Sequence, residues 1–108
     1  MHSVEWAAGL FEGEGCISQD KRRVGTHYLC LRMCDEDVVE KFAEVMGVGN
    51  VVRLHPPAHR KRGHQPFYSW TISSREGVRK CLAAMLPYFG NRRAYKALNA
   101  LDDIELKS

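Results

Sequence analysis

The sequence predicts an α+β domain: a four-stranded antiparallel sheet with helices on one face, in the order αββαββαα. Three observations predict it. Segments of strand character occur in two pairs along the chain, and the second segment shows clear period-two alternation. Segments with apolar residues at helical spacing stand before, between and after those pairs. Capping residues and glycines sit at the junctions, where elements should start and stop. With 108 residues and 44% hydrophobic content, the chain is read as one domain spanning 1–108 with a modest core, and an oligomer would add buried area.

Ser3 is a suitable N-cap for a first helix over Val4 to Glu12, which Gly13 and Gly15 should stop. Strand character follows at Cys16–Lys21 and, after the basic turn at 21–25, at Thr26–Cys34. There Leu29, Leu31 and Met33 alternate with Tyr28, Cys30 and Arg32. Asp35 should cap a second helix with Val38, Val39, Phe42, Val45 and Met46 on its apolar side, closed by Gly47. Val48–Leu54 reads as a third strand, His55–Pro66 as a long exposed connection, and Phe67–Ile72 as a fourth strand. Ser73 or Ser74 should cap a third helix reaching Met85. The segment Leu86-Pro87-Tyr88-Phe89-Gly90 breaks the chain, Asn91 caps a last helix to about Leu101, and residues 102–108 should fray.

Charge is unevenly placed. The net charge is only +3, yet residues 35–44 carry five acids against Lys41, whereas 21–23 and 53–64 carry seven Lys or Arg and no acid. A basic face of this kind suits a nucleic-acid partner. Four cysteines, none in a Cys-x-x-Cys pair, read as free thiols of a reducing compartment. The N-terminus opens on an amphipathic helix instead of a signal peptide, and no apolar stretch approaches the ~20 residues of a membrane span. A protein of a reducing, cytosol-like compartment is expected, neither secreted nor membrane-bound.

The most informative stretch is Ala7-Ala8-Gly9-Leu10-Phe11-Glu12-Gly13-Glu14-Gly15. Small residues let another backbone approach closely. Carboxylates at a helix C-terminus oppose the helix dipole, and a divalent cation is the natural offset.

This run resembles the LAGLIDADG motif of homing endonucleases. The element order fits that family over nearly the whole chain. So do Gly47-Val48-Gly49 after the second helix and the Leu86-Pro87-Tyr88 break followed by Arg92-Arg93. The motif occurs once, as in members that act as homodimers. The resemblance implies that the motif helices of two subunits pack around a two-fold axis, with Ala8, Gly9, Glu12 and Gly13 at the interface. The Gly9-x-x-x-Gly13 spacing is the one used for close helix contact. Glu14 aligns with the acid that binds the catalytic metal, and the Gly13 carbonyl would be a neighbouring ligand. Glu12 is expected to be structural or supporting. Two Glu14 carboxylates about 5 Å apart would repel by roughly 3 kcal/mol at an effective dielectric near 20. Mg²⁺, for which Mn²⁺ can substitute, would reverse that sign. Arg92 or Arg93 matches a basic position near the family's active site and would stabilise the transition-state phosphate. Two departures stand out. The family more often has Asp at the Glu14 position. The polar residue, commonly Gln, near the end of its second strand is absent at Met33-Cys34-Asp35.

The open sheet face should carry Ser18, Asp20, Arg22, Tyr28, Cys30 and Arg32. Arg22, Arg32, Arg53, Arg60, Lys61 and Arg62 are the main DNA-contact candidates, joined by Ser18, Asp20, Lys21, Arg23 and Tyr28. Loop cations would meet phosphates and strand cations base edges. His55, His59 and His64 match no compact zinc-ligand spacing. Trp6, Phe42, Trp70 and Tyr95 read as core or interface aromatics. The leading expectation is a homodimeric, Mg²⁺-dependent, site-specific double-strand DNA endonuclease on a pseudo-palindromic target, encoded apart from any splicing domain. The competing one is a non-catalytic DNA- or RNA-binding protein, a maturase or regulator, on the same fold.

Overall fold

Ser3 opens the first helix through its side chain, its Oγ accepting from the Trp6 N–H at 3.1 Å. Helix α1 then runs Val4–Glu14, two residues beyond the expected end. The difference lies in Gly15, which leaves the helix in an extended conformation (φ −86°) and carries the chain straight into strand β1, Gly15–Gln19. A Cβ on Gly15 would collide with the Phe11 ring, so close approach fixes glycine at this junction. The structure is a computed structural model, and it describes residues 3–19, 26–54 and 67–106.

The remaining elements are β2 (His27–Met33), α2 (Glu36–Met46), β3 (Asn50–Leu54), β4 (Phe67–Ile72), α3 (Arg75–Met85), a 3-10 turn at Leu86–Tyr88 and α4 (Asn91–Leu106). Gly47 ends α2 in the left-handed region at φ +76°, as expected of a C-cap glycine. Strand β3 starts two residues later than the apolar run suggests, because Gly49 at φ +101° still belongs to the turn. A side chain at Gly49 would strike the Trp70 indole, whose Nε1–H donates to the Val48 carbonyl at 2.9 Å. Ser74 caps α3 by accepting from the Gly77 N–H at 3.1 Å.

Helix α4 departs from expectation at both ends. Ala94 N–H bonds to the Gly90 carbonyl at 2.8 Å, so Gly90 takes the cap position and Asn91 lies inside the helix. At the other end the helix continues to Leu106 rather than fraying after Leu101. Ile104 is buried in the core, Asp103 pairs with His27 at 2.9 Å, and Glu105 pairs with Arg79 at 3.3 Å. Tertiary contacts hold residues whose local sequence favours fraying.

The sheet has strand order β1-β2-β4-β3, all neighbours antiparallel. The register sorts its side chains. Ile17, Leu29, Leu31, Trp70 and Val51 face the helices, while Cys16, Ser18, Tyr28, Cys30, Arg32, Ser69, Thr71, Asn50 and Val52 face away. The core is aromatic at its centre. Phe11 stacks on Phe42 (ring centroids 6.1 Å apart) and on Phe89 (6.0 Å), and Phe42 meets Trp70 edge-on at 4.8 Å. Phe42 and Trp70 are thus core aromatics, Trp6 is half-buried against the core, and Tyr95 is exposed on α4. Among the described residues, no helix is long and apolar enough to cross a membrane.

Candidate functional site

The acidic run at the end of α1 divides its carboxylates between two environments. Glu12 turns inward along the protein surface, and its Oε1 accepts from the Gly90 N–H at 2.8 Å. That amide is at the start of α4, where unpaired N–H groups and the helix dipole favour a negative charge. The Glu12 carbonyl, one of the free acceptors at the end of α1, accepts from the Arg93 Nη2 at 3.0 Å. The same guanidinium lies over the Phe11 ring, 5.4 Å from its centroid. Two hydrogen bonds thus tie the end of α1 to the start of α4 through Glu12.

Glu14 is free of this clamp. It is exposed at the last turn of α1 and opens onto a cavity of about 300 Å³ lined also by Cys16, Ser18, Tyr28, Cys30 and Arg32. The α1–β1 junction therefore delivers an acid to the edge of the open sheet face. That face is polar: Ser18 is half-buried, Tyr28 and Arg32 are exposed, and Ser69 sits buried between the central strands. Among the described residues, no three His, Cys, Asp or Glu side chains converge on a metal position. Among the described residues that line this cavity, Glu14 is the one acid.

The expected sites fall into distinct groups. Glu14, Ser18, Tyr28 and Arg32 come together in the groove. Arg53 does not join them: it pairs with Tyr68 and shares the face of Val51 and Trp70, on the helix side of the sheet, although it is exposed at the edge strand. Of the two candidate arginines after the break, Arg93 is engaged with Glu12 and Phe11, while Arg92 is exposed. Asp20, Lys21, Arg22, Arg23, Arg60, Lys61 and Arg62 lie outside the described residues, as do His55, His59 and His64.

The small residues of α1 also separate. Ala8, expected at the dimer interface, is fully buried in the protomer's own core and has no exposed surface to offer. Gly9 and Gly13 are exposed, and a Cβ on either would meet nothing within 4 Å. Among the described residues nothing requires glycine at those positions, although each costs a helix interior ~1 kcal/mol relative to Ala. Arg32, a DNA-contact candidate from the sequence, lies in the cavity that Glu14 also lines. The expected polar position at Met33 packs against the core, and the β2 side chain that shares the Glu14 groove is its neighbour. The period-two alternation of β2 already contained that signal. A larger cavity of about 480 Å³, between β1 and α4 around His27, Lys96, Asn99 and Asp103, excludes Glu14.

Solved structures share the fold. The homing endonuclease I-CvuI in complex with its target superposes with a TM-score of 0.71 at 19% identity, covering 94% of this chain and 65% of that one. I-CeuI complexed with DNA gives a TM-score of 0.67 at 17% identity, over 95% of this chain and 54% of that one. The LAGLIDADG meganuclease I-AabMI bound to uncleaved DNA gives 0.68 at 18%, over 94% of this chain and 36% of that one. The chain spans about two thirds of the length of I-CvuI and less of the others. No protein-family model matches the sequence, and no curated protein matches it either. The fold is therefore that of the LAGLIDADG homing endonucleases, α+β with the motif helix first.

Proposed function

We propose that this chain is one subunit of a homodimeric, site-specific double-strand DNA endonuclease, with Glu14 of each subunit at the scissile phosphates. The carrying observation is the division of α1. Glu12 is consumed by the clamp on α4, Glu14 is left exposed in the groove on the open sheet face, and Gly9 and Gly13 lie along a helix face that no described residue covers. A second α1 laid on that face gives the two glycines a reason, since they would let the backbones come close. The same contact would bring the two Glu14 carboxylates toward each other.

The donor set fits Mg²⁺, or Mn²⁺ in its place, only as a shared ion. The Glu14 carboxylates of two subunits, the Gly13 carbonyls and DNA phosphate oxygens would hold it, all hard oxygen donors. When bound, such an ion supplies an activated water and charge neutralisation at the phosphate. The chain's own residues do the rest. Arg93 and Glu12 hold the end of α1 so that Glu14 cannot swing with a frayed helix. Arg32, in the same groove, meets a phosphate oxygen or a base edge, and Ser18 and Tyr28 add neutral hydrogen bonds on the same face. Arg92, exposed in the first turn of α4, is the cation free to stabilise developing charge on the phosphate.

The test is cleavage of supercoiled plasmids carrying a library of candidate target sites, with and without Mg²⁺. Linearised plasmid with one recovered recognition sequence supports the nuclease. Saturable, sequence-selective binding with no linear product on any bound site supports the non-catalytic alternative instead.

A further inference from the structure

Cys16 and Cys30 are directly opposed residues of the antiparallel β1–β2 pair, and both line the cavity that holds Glu14. Directly opposed residues in an antiparallel pair have Cα atoms about 4.5 or 5.5 Å apart, depending on whether they form the hydrogen-bonded kind of pair. Both separations fall inside the window of roughly 4.4–6.8 Å that a disulfide accepts. Their side chains share the open face, so both sulfurs lie on the same side of the sheet. As the structure stands, both are free thiols that turn to different hydroxyls: Cys16 Sγ lies 3.0 Å from Ser18 Oγ, and Cys30 Sγ 3.6 Å from Ser69 Oγ. Side-chain rotation about the Cα–Cβ bonds is the motion that separates the two arrangements.

We propose that Cys16 and Cys30 form an oxidisable dithiol, a modification site that closes to a cross-strand disulfide by exchange with a low-molecular-weight disulfide such as oxidised glutathione. Cys16 is the exposed member and Cys30 the buried one, which sets the order of events. The Cys16 thiolate attacks the reagent, forming a mixed disulfide and releasing one thiolate. The Cys30 thiolate then attacks the Cys16 sulfur and expels the second. Two electrons pass from the protein to the reagent, and the two protons of the protein thiols end on the two released thiols. The bridge lies two residues after Glu14 and staples the start of β1 to β2 on the groove side, where the exposed Cys16 sulfur leaves it open to reduction. The remaining cysteines do not compete for Cys30: Cys34 is exposed beyond the end of β2, and Cys81 is buried in α3.

The test uses the reduced full-length chain with Cys34→Ser and Cys81→Ser, so that only one intramolecular disulfide can form, treated with oxidised glutathione and mapped by non-reducing peptide mass spectrometry. The expected result is a linked Cys16–Cys30 peptide pair lacking two hydrogens, restored by dithiothreitol. Adding Cys30→Ser should stop the reaction at a glutathione adduct on Cys16. Accumulation of that adduct while Cys30 is intact, or a bridge only between two chains, overturns the proposal. The unmutated chain gives a second reading, because it should yield the same linked pair. Neither reading depends on whether the protein cuts DNA.

Discussion

The Glu12 carboxylate accepts the Gly90 N–H at 2.8 Å across 78 residues of sequence, and its own carbonyl accepts from Arg93 at 3.0 Å. One residue thereby caps the start of α4 and is itself the anchor for the end of α1. Replacing Glu12 by Gln keeps a neutral acceptor but loses the charge at a helix N-terminus, at an expected cost of ~0.5–1 kcal/mol; Glu12→Ala should cost about 1–2 kcal/mol. Urea unfolding followed by circular dichroism checks the ranking. Equal stability of all three proteins would show that the contact contributes nothing.

Arg92 and Arg93 are neighbours with opposite expected phenotypes. Arg93→Ala removes a hydrogen bond to a helix-end carbonyl and a cation resting on Phe11, and should lower stability by ~1–2 kcal/mol. Arg92→Ala, at an exposed site, should stay within ~0.5 kcal/mol of the parent in unfolding. On the nuclease reading it should also reduce cleavage of a bound target. Thermal unfolding and cleavage rate, measured on both variants, should separate the two residues.

Gly9 and Gly13 have free space around their Cα atoms in the protomer. If α1 faced only solvent, Ala at either position would stabilise the chain by up to ~1 kcal/mol through helix propensity alone. The dimer account predicts that Gly13→Leu produces a folded monomer in sedimentation velocity, where the parent sediments as a dimer. A Gly13→Leu protein that remains dimeric would place the interface elsewhere.

Cys81 is buried in α3, and burial pushes its thiol from 9.0 up to about 11. The sign follows from proton linkage. Between those values the unfolded chain has lost the proton and the folded chain has kept it, so stability falls as pH rises from about 9 toward 11 and is unaffected below. The Cys81→Ala variant should show a shallower decline over the same range. Native Cys81 should also stay unmodified by iodoacetamide at pH 8, where the exposed Cys16 and Cys34 react.

The elements were largely legible because their signals are local. Ser3, Ser74 and Gly47 act as caps as their identities suggest, and the alternation of Leu29, Leu31 and Met33 correctly marks the buried face of β2. The site was legible in part. Glu14 stands exposed at the end of α1, whereas Ala8, expected at an interface, is a core residue. A row of small side chains does not tell which side of a helix its own domain covers. Arg53 reads as a strand cation, but which face it takes depends on pairing with Tyr68, a register that residues 55–66 do not announce. Arg92 and Arg93 are indistinguishable as letters. Only the distant Glu12 and Phe11 separate them.

The central claim is that Glu14, set free by the Glu12 clamp, performs chemistry on DNA held against the open sheet face. The direct measurement is Glu14→Gln against the parent on one recovered target, reading binding by gel shift and cutting by single-turnover kinetics in Mg²⁺. The account predicts binding within a few-fold of the parent and cutting slowed at least about a hundredfold. Cutting by Glu14→Gln at the parental rate would contradict it.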